Sequence, residues 1–490
     1  MIKRLFASLI LISLLTVSAA AGYEDVFPEE TFYNDMASVE AYTEELGITE
    51  HQYEQLKNVV YGATRNCREV CDVSNFNLKS NQTVFGILNN FIRKGDPLTF
   101  HIEAISVTSS GTGSDKKIKQ LKFVYKYTSD VYYQMRDASL EVAQKLLEGV
   151  KDNTWMSDVQ KALVLHDRLA VLCEYDTDNF YAGTLTDNDY SIYGAFVDRK
   201  CVCEGYTKAY SYLLDEVGID NYYCDSYSLG HMWNIVYIDG VKYHVDVTWD
   251  DPVSDVTGYV THEYFLCSTD KMKSSDHNAT DYDDSPVATT YDNEFWGESN
   301  SSFIPYGGSL YYINNAEAAL YEWSGSERTK LLDLVGRWRA PSGGLYIGNF
   351  SCLGSDGTNM FYSLPDKIMR YDPESGRSSA VYVYDPADNA SFRIYGFTAE
   401  EGVFTIDVYS SPNFTEDTKD LYQFTTPYDL SSVKRGDADG DGMLSLKDIA
   451  ALKGYLAGAE GQYDVRACDS NEDGVVNLMD LSYLKQMIAG

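Results

Sequence analysis

Lys200-Cys201-Val202-Cys203-Glu204-Gly205-Tyr206, then Gly230-His231-Met232-Trp233-Asn234, then Tyr243-His244-Val245-Asp246-Val247-Thr248-Trp249-Asp250-Asp251-Pro252 bring a thiol, an imidazole and a carboxylate into one stretch. From Glu204 the apolar positions Tyr206, Tyr210, Leu213, Leu214 and Val217 recur at helical spacing, and Gly218 is a natural stop. Cys203 then stands at a helix N-terminus, where unpaired N–H groups and the positive end of the dipole favour the nucleophilic thiolate. Asp239-Gly240 predicts a two-residue turn between alternating runs, hence a β-hairpin. That turn sets Ile238 opposite Val241, Trp233 opposite Asp246 and His231 opposite Thr248. Alternation puts Met232, Val236, Ile238, Val241, Tyr243, Val245 and Val247 on one apolar face. His231 and Asp246 fall on the other face as diagonal neighbours, roughly 7–8 Å apart at Cα. An imidazole held by a carboxylate and offered to a thiol is the nucleophile–base–orienter arrangement of covalent acyl transfer.

Taken singly, each of these residues has an ordinary reading: a bridged or buried cysteine, a surface histidine, a turn-capping aspartate. Together they resemble the transglutaminase-like superfamily, whose papain-like core carries Cys, His and Asp in this order. Its "CEGY" segment matches Cys203–Tyr206, its "H-x-W-N" His231–Asn234, and its "D-x-T-W-D" Asp246–Asp250. Ser157–Asp176, a helix around Leu163, Leu165, His166 and Leu169, and Tyr193-Gly194-Ala195 fit the same family. The resemblance covers about Asp152 to His277. It implies Cys203 as nucleophile, His231 as base and Asp246 as orienter, with Trp233 and Asn234 shaping the site and no cofactor for catalysis. Cys201 lies outside the matched motif and is set aside.

Around this core the chain has 490 residues, room for about three or four domains. With 39 basic and 74 acidic residues its formal charge is −35, which argues against nucleic acid or an anionic membrane as partner and suits an exported protein or one that binds divalent cations. Residues 1–21 read as a signal peptide: Lys3 and Arg4, an apolar run from Leu5 to Val17, then Ala19-Ala20-Ala21. That run is short for a membrane span and no second one follows. Nine cysteines is an odd number, so at least one thiol is free or pairs between chains.

Residues 22–151 read as an α+β lead-in, with helices over Ala37–Leu46, Glu50–Glu69 and Val131–Val150. Strands are expected at His101–Val107 and Lys119–Tyr127. Cys67 and Cys71 would share a helix. The catalytic core occupies 152–293. Over 294–432 the texture changes to short aromatic strands. Leu310–Ile313, Met360–Ser363 and Val403–Ile406 begin three units, each followed by a second aromatic strand at Leu320–Trp323, Ile368–Tyr371 and Leu421–Phe424. The spacing resembles propeller blades, but three are few to close a ring, so an open meander or partial propeller is expected, as a glycan-binding surface or a spacer.

Residues 433–490 carry a second constellation. Asp437, Asp439, Asp441, Ser445 and Asp448 supply oxygens at positions 1, 3, 5, 9 and 12 of a twelve-residue calcium loop, with the Met443 carbonyl at position 7. Asp469, Asn471, Asp473, Val475, Asn477 and Asp480 repeat it, and helical runs follow both loops. Position 12 is Asp, not the Glu of an EF-hand. Two such units resemble a type I dockerin, which binds cohesin domains of scaffoldins. The resemblance implies two calcium ions and cohesin contacts at Leu446, Lys447, Lys453, Leu478, Met479 and Lys485.

The expected fold class is therefore multidomain α+β: a papain-like core, a β-rich repeat region and a small helical calcium-binding module. The expected function is a secreted, cellulosome-associated cysteine peptidase or amidase acting on peptide or carboxamide bonds. Transfer to an amine, as in a protein-glutamine transglutaminase, is one alternative. The other is a non-catalytic subunit binding glycan or cell wall. No paired carboxylates stand out for glycoside hydrolysis.

Overall fold

The computed structural model describes residues 24–25, 39–253, 255–339, 344–384, 392–412, 422–428, 430, 435–439, 444–459, 463–471 and 473–489. The leader at 1–21, Leu421, and the calcium-loop residues Asp441 and Met443 lie outside them. Two compact units divide the chain, the first reaching Ser129 and the second running from Asp130 onward.

In the first unit, helices Val39–Leu46, Glu50–Thr64 and Gln82–Lys94 accompany an antiparallel sheet ordered Glu24–Asp25, Ile102–Ser110, Lys117–Tyr125, Val70–Asp72. Thr49 opens the second helix with a capping box to Gln52. Leu56, Val60, Leu88, Ile92, Val107 and Leu121 are fully buried between the layers. The helix expected to reach Glu69 stops at Thr64. Cys67 turns left-handed (φ 50°), and Val70–Asp72 pairs with Gln120–Lys122. Cys71 thus lies on a strand and shares no helix with Cys67; backbone pairing at the sheet edge prevails over helical periodicity.

In the second unit, helix Ser129–Leu147 precedes α1 (Asp158–Leu172), whose first turn is closed by a Ser157–Gln160 capping box. Helix α2 (Cys203–Glu216) ends before Gly218, whose φ of 76° is one that glycine adopts without strain. An antiparallel sheet follows in the order β1 (Asn221–Ser226), β2 (His231–Ile238), β3 (Val241–Val245). Tyr210 of α2 donates to Ala162 O of α1 at 3.0 Å, and Asn234 of β2 donates to Thr207 O of α2 at 3.1 Å. The thiol-bearing helix is thereby pinned between a helix and a sheet.

The hairpin register is the one the Asp239-Gly240 turn dictates as far as Asn234 opposite Val245. There β3 ends. Asp246 caps a helical turn, Val247–Asp250, so Thr248 does not face His231 and Val247 does not continue the strand.

Among the described residues the aromatic region forms three antiparallel meanders and a hairpin. The meanders comprise strands within 304–333, 353–383 and 393–427. In each, the two aromatic segments are paired neighbours: Leu310 faces Trp323, Met360 faces Tyr371, and Ile406 faces Phe424. The middle sheet is covered on both sides. Met360, Tyr362 and Met369 join the first sheet's Tyr311 and Ile313 in one core, whereas Phe361 and Ile368 join the third sheet's Phe397, Phe404 and Ile406 in another. Period-two alternation on a strand buried on both faces requires apolar residues at every position, which accounts for Met360-Phe361-Tyr362.

Near the C-terminus, α3 (Leu446–Leu456) and α4 (Leu478–Ala489) close on Ala438, Leu452, Cys468, Leu481 and Leu484. The loop before α4 rests on the middle sheet. Asp473 bridges to Ser378, and a Cβ on Gly474 would stand 3.1 Å from Met369 Cε.

Phe361 is fully buried, edge-on to Phe404 at 5.2 Å between centroids. Phe361→Ala should cost about 3–5 kcal/mol, seen as a lower urea midpoint for the second unit. A loss under about 1 kcal/mol would show that the two sheets do not unfold together.

Candidate functional site

Cys203 is the first residue of α2, after the extended Val202, so its thiol lies beside the helix's unpaired N–H groups. The preceding Lys200–Cys201 segment pairs in parallel with Glu174–Tyr175, fixing where α2 begins. Cys201 faces inward, with its Sγ 3.3 Å from that of buried Cys173. Burial and the Cys173 thiol push Cys201 well above an ordinary thiol, so it is not the reactive sulfur. A Cβ at Gly205 would fall 2.6 Å from Cys201 Cβ, so the glycine makes room for that turned-in side chain.

His231 opens β2 and stacks on Trp233 at 5.5 Å. Its Nε2 lies 2.6 Å from Asp246 Oδ2, and the Cys203 thiol is near enough to favour the charged ring. Burial disfavours the charged ring, but the Asp246 carboxylate and the Cys203 thiol outweigh it and raise His231 to about 10. Burial opposes the Asp246 charge too, yet His231 and His277 hold that carboxyl well below the usual range. These two imidazole contacts favour the anionic form of Asp246. Its Oδ1 accepts Trp249 N–H at 3.2 Å, closing the helical turn.

Trp233 and Asn234 are buried and support the site from behind. Trp233 Nε1 donates to His244 Nδ1 at 2.9 Å, and Asn234 ties the sheet to α2.

Two features have no role assigned from the sequence. His277, fully buried, places Nε2 2.7 Å from the same Asp246 Oδ2. A buried network joins α1 to the turn after Asp246. His166 lies 3.1 Å from Asp250 Oδ2 and 3.0 Å from Asp167 Oδ1, and Asp167 Oδ1 is 2.9 Å from His262 Nε2. Burial again opposes the charge on His166, but the two carboxylates raise it to about 9. Five of the seven histidines fall between His166 and His277. That clustering was the available signal for both features.

In the C-terminal module, Asp437, Asp439 and Asp448 converge, as do Asp469, Asp473 and Asp480. The described residues of the two loops share one hydrogen-bond pattern. Asp448 accepts Asp439 N–H at 3.2 Å and Ser445 N–H at 2.7 Å, while Asp480 accepts Asn471 N–H at 3.1 Å and Asn477 N–H at 2.7 Å. The position-12 carboxylate thus buttresses positions 3 and 9 of its own loop, and these all-oxygen clusters fit a hard divalent cation. Burial, then Asp480 and Asp473, raises Asp469 to about 6. Leu446, Lys447, Lys453, Leu478, Met479 and Lys485 are all exposed.

Residues 435–489 match the family described as "Dockerin type I domain". This part of the chain is a type I dockerin, a calcium-binding module that implies a cohesin partner and a place in a cellulosome-type assembly, typically extracellular. No curated protein matches the chain. Among solved structures, one titled "Crystal structure of a TGase" is 15% identical, with a TM-score of 0.20. The match covers 29% of this chain and 44% of that one, so the chain spans less than half of that structure's length; the likeness is too slight to argue from. Among the described residues no helix is long and apolar enough to cross a membrane.

The Asp246 carboxylate favours the charged His231 ring, which sits where it can act on the Cys203 thiol. At about pH 6, iodoacetamide should label Cys203 at least roughly tenfold faster in wild type than in His231→Ala. Intact mass reads the rate, and Cys203→Ala should remove the label. Equal rates would mean that the imidazole does not activate the thiol.

Proposed function

We propose that this chain is a cysteine-dependent acyl-transfer enzyme of the transglutaminase-like kind, working as a peptidase or amidase and mounted on a cohesin-bearing scaffold. The observation that carries it is Cys203 at a helix N-terminus, with that helix tied by Asn234 to the sheet on which His231 meets the buried Asp246 at 2.6 Å. A thiol-bearing helix against an antiparallel sheet carrying imidazole and carboxylate supports a papain-like core within 152–293. It would stand between a lead-in domain at 22–151 and a β-rich region at 294–432, behind a leader at 1–21 and before a dockerin at 433–490.

In this reading Cys203 Sγ attacks the carbonyl carbon of a peptide or carboxamide bond while its proton resides on His231. The C–N bond breaks as His231 returns that proton to the leaving nitrogen, giving a thioester. Water then attacks the thioester, His231 takes its proton, and Sγ leaves with it. Asp246 holds the imidazole in place without accepting the proton. The Cys203 N–H at the helix terminus is the proposed donor to the developing oxyanion. Trp233 and Asn234 shape the site by holding His231 and α2. Digestion of a proteome-derived peptide library, read by mass spectrometry, should yield cleavages absent with Cys203→Ala. Incorporation of a fluorescent primary amine in place of cleavage would make the enzyme a transglutaminase.

The dockerin would bind two calcium ions. Asp437, Asp439, Asp441, the Met443 carbonyl, Ser445 and Asp448 would hold one; Asp469, Asn471, Asp473, the Val475 carbonyl, Asn477 and Asp480 would hold the other. Bound calcium offsets carboxylate repulsion and orders the loops. Leu446, Lys447, Lys453, Leu478, Met479 and Lys485 are the proposed cohesin contacts, supported by their exposure on α3 and α4. Capture of the full chain on an immobilised type I cohesin should vanish in excess EGTA and return with calcium. Capture indifferent to EGTA would overturn the calcium dependence.

A further inference from the structure

Asp246 Oδ2 is shared by two imidazoles, His231 Nε2 at 2.6 Å and His277 Nε2 at 2.7 Å. His277 follows the short helix Thr269–Lys273 and is fully buried. Its Nδ1 is buried without a hydrogen-bond partner. A proton there would be an unsatisfied buried donor, so the N–H that His277 presents is the one on Nε2, which donates to Asp246.

The two rings therefore play unlike parts. His231 pairs with Asp246 through Nε2 and also feels the Cys203 thiol, so it lies between the carboxylate and the sulfur. His277 has a partner at Nε2 alone and serves as a donor to Asp246. We propose that His277 is a positioning residue for the Cys203–His231–Asp246 constellation, fixing the rotation of the Asp246 carboxylate so that Oδ2 meets His231. This role rests on the acyl-transfer reading given above.

The surroundings hold the ring for such a task. Trp249, Tyr264 and Trp233 pack on His277 at centroid distances of 4.4, 4.8 and 5.3 Å. Its carbonyl accepts Ala279 N–H at 2.9 Å and Tyr282 Oη at 3.1 Å. The titratable groups that face it are Asp246, His231, Tyr264 and, at longer range, His244. Without His277, Asp246 keeps one contact per oxygen, Trp249 N–H on Oδ1 and His231 on Oδ2, in a pocket with no water-facing edge.

Two imidazoles and a carboxylate also make a set that could grip a metal ion. The separations argue for shared protons. Ligands at about 2.0–2.1 Å around a tetrahedral zinc stand roughly 3.3 Å apart, wider than the 2.6 and 2.7 Å here.

The test is iodoacetamide labelling of Cys203 in the full chain between about pH 5.5 and 8, in wild type, His277→Gln and His277→Asn. A glutamine amide nitrogen reaches where the imidazole Nε2 stands; the asparagine amide falls a bond short. His277→Gln should label within about threefold of wild type and keep its pH profile. His277→Asn should slow at least roughly tenfold at acid pH and take the steeper profile of an ordinary thiol. His277→Met, apolar and of similar bulk, replaces Asn if that variant fails to fold. Wild-type labelling in the donor-free variant, or equal loss in Gln and Asn variants that both fold, would overturn the role. Wild-type labelling that ignores His231→Ala would instead overturn the acyl-transfer reading, and is read on a different pair of proteins.

Discussion

A negative charge buried without solvent at Asp246 is the constraint around which the site is built. A carboxylate in that position takes a proton unless donors surround it. The fold brings three, and each comes from a different place. Trp249 offers a backbone N–H from the turn that Asp246 itself caps, His231 reaches across from the start of β2, and His277 arrives from the segment after Thr269–Lys273. The turn is in turn tied to α1 through Asp250 and His166. Cys203 is set by other means, from the pairing of Lys200–Cys201 and the packing of α2. The imidazole is where these two assemblies meet.

Much of this could be read from local pattern. The Asp239-Gly240 turn imposes the hairpin register, and the apolar spacing after Glu204 with Gly218 beyond it bounds α2. What could not be read depends on partners distant in the chain. Val247-Thr248-Trp249-Asp250 continues the alternation of a strand, yet it winds into a turn because Asp250 meets His166, eighty-four residues earlier. Likewise Glu50–Thr64 ends where Val70–Asp72 finds the edge of a sheet. His277 belongs to no periodic run, and nothing short of the folded chain brings it to Asp246.

The β-rich region divides along the same line. Pairing between consecutive aromatic segments is local and shows in the spacing of Met360–Ser363 and Ile368–Tyr371. Stacking of the three sheets is not local. Whether Phe361 looks toward the first sheet or the third follows from how whole sheets pack, and an unbroken apolar strand is silent on that.

The seating of the Asp469–Asp480 loop on the middle sheet has a mechanical meaning. Ser378 against Asp473, and Met369 beside Gly474, seat the second loop of the dockerin on that sheet. An enzyme on a loose tether sweeps a sphere and meets its surroundings from every angle. A body seated against a sheet has fewer headings open to it, so the contact at Ser378 bears on how the sheet is presented by whatever holds the C-terminus.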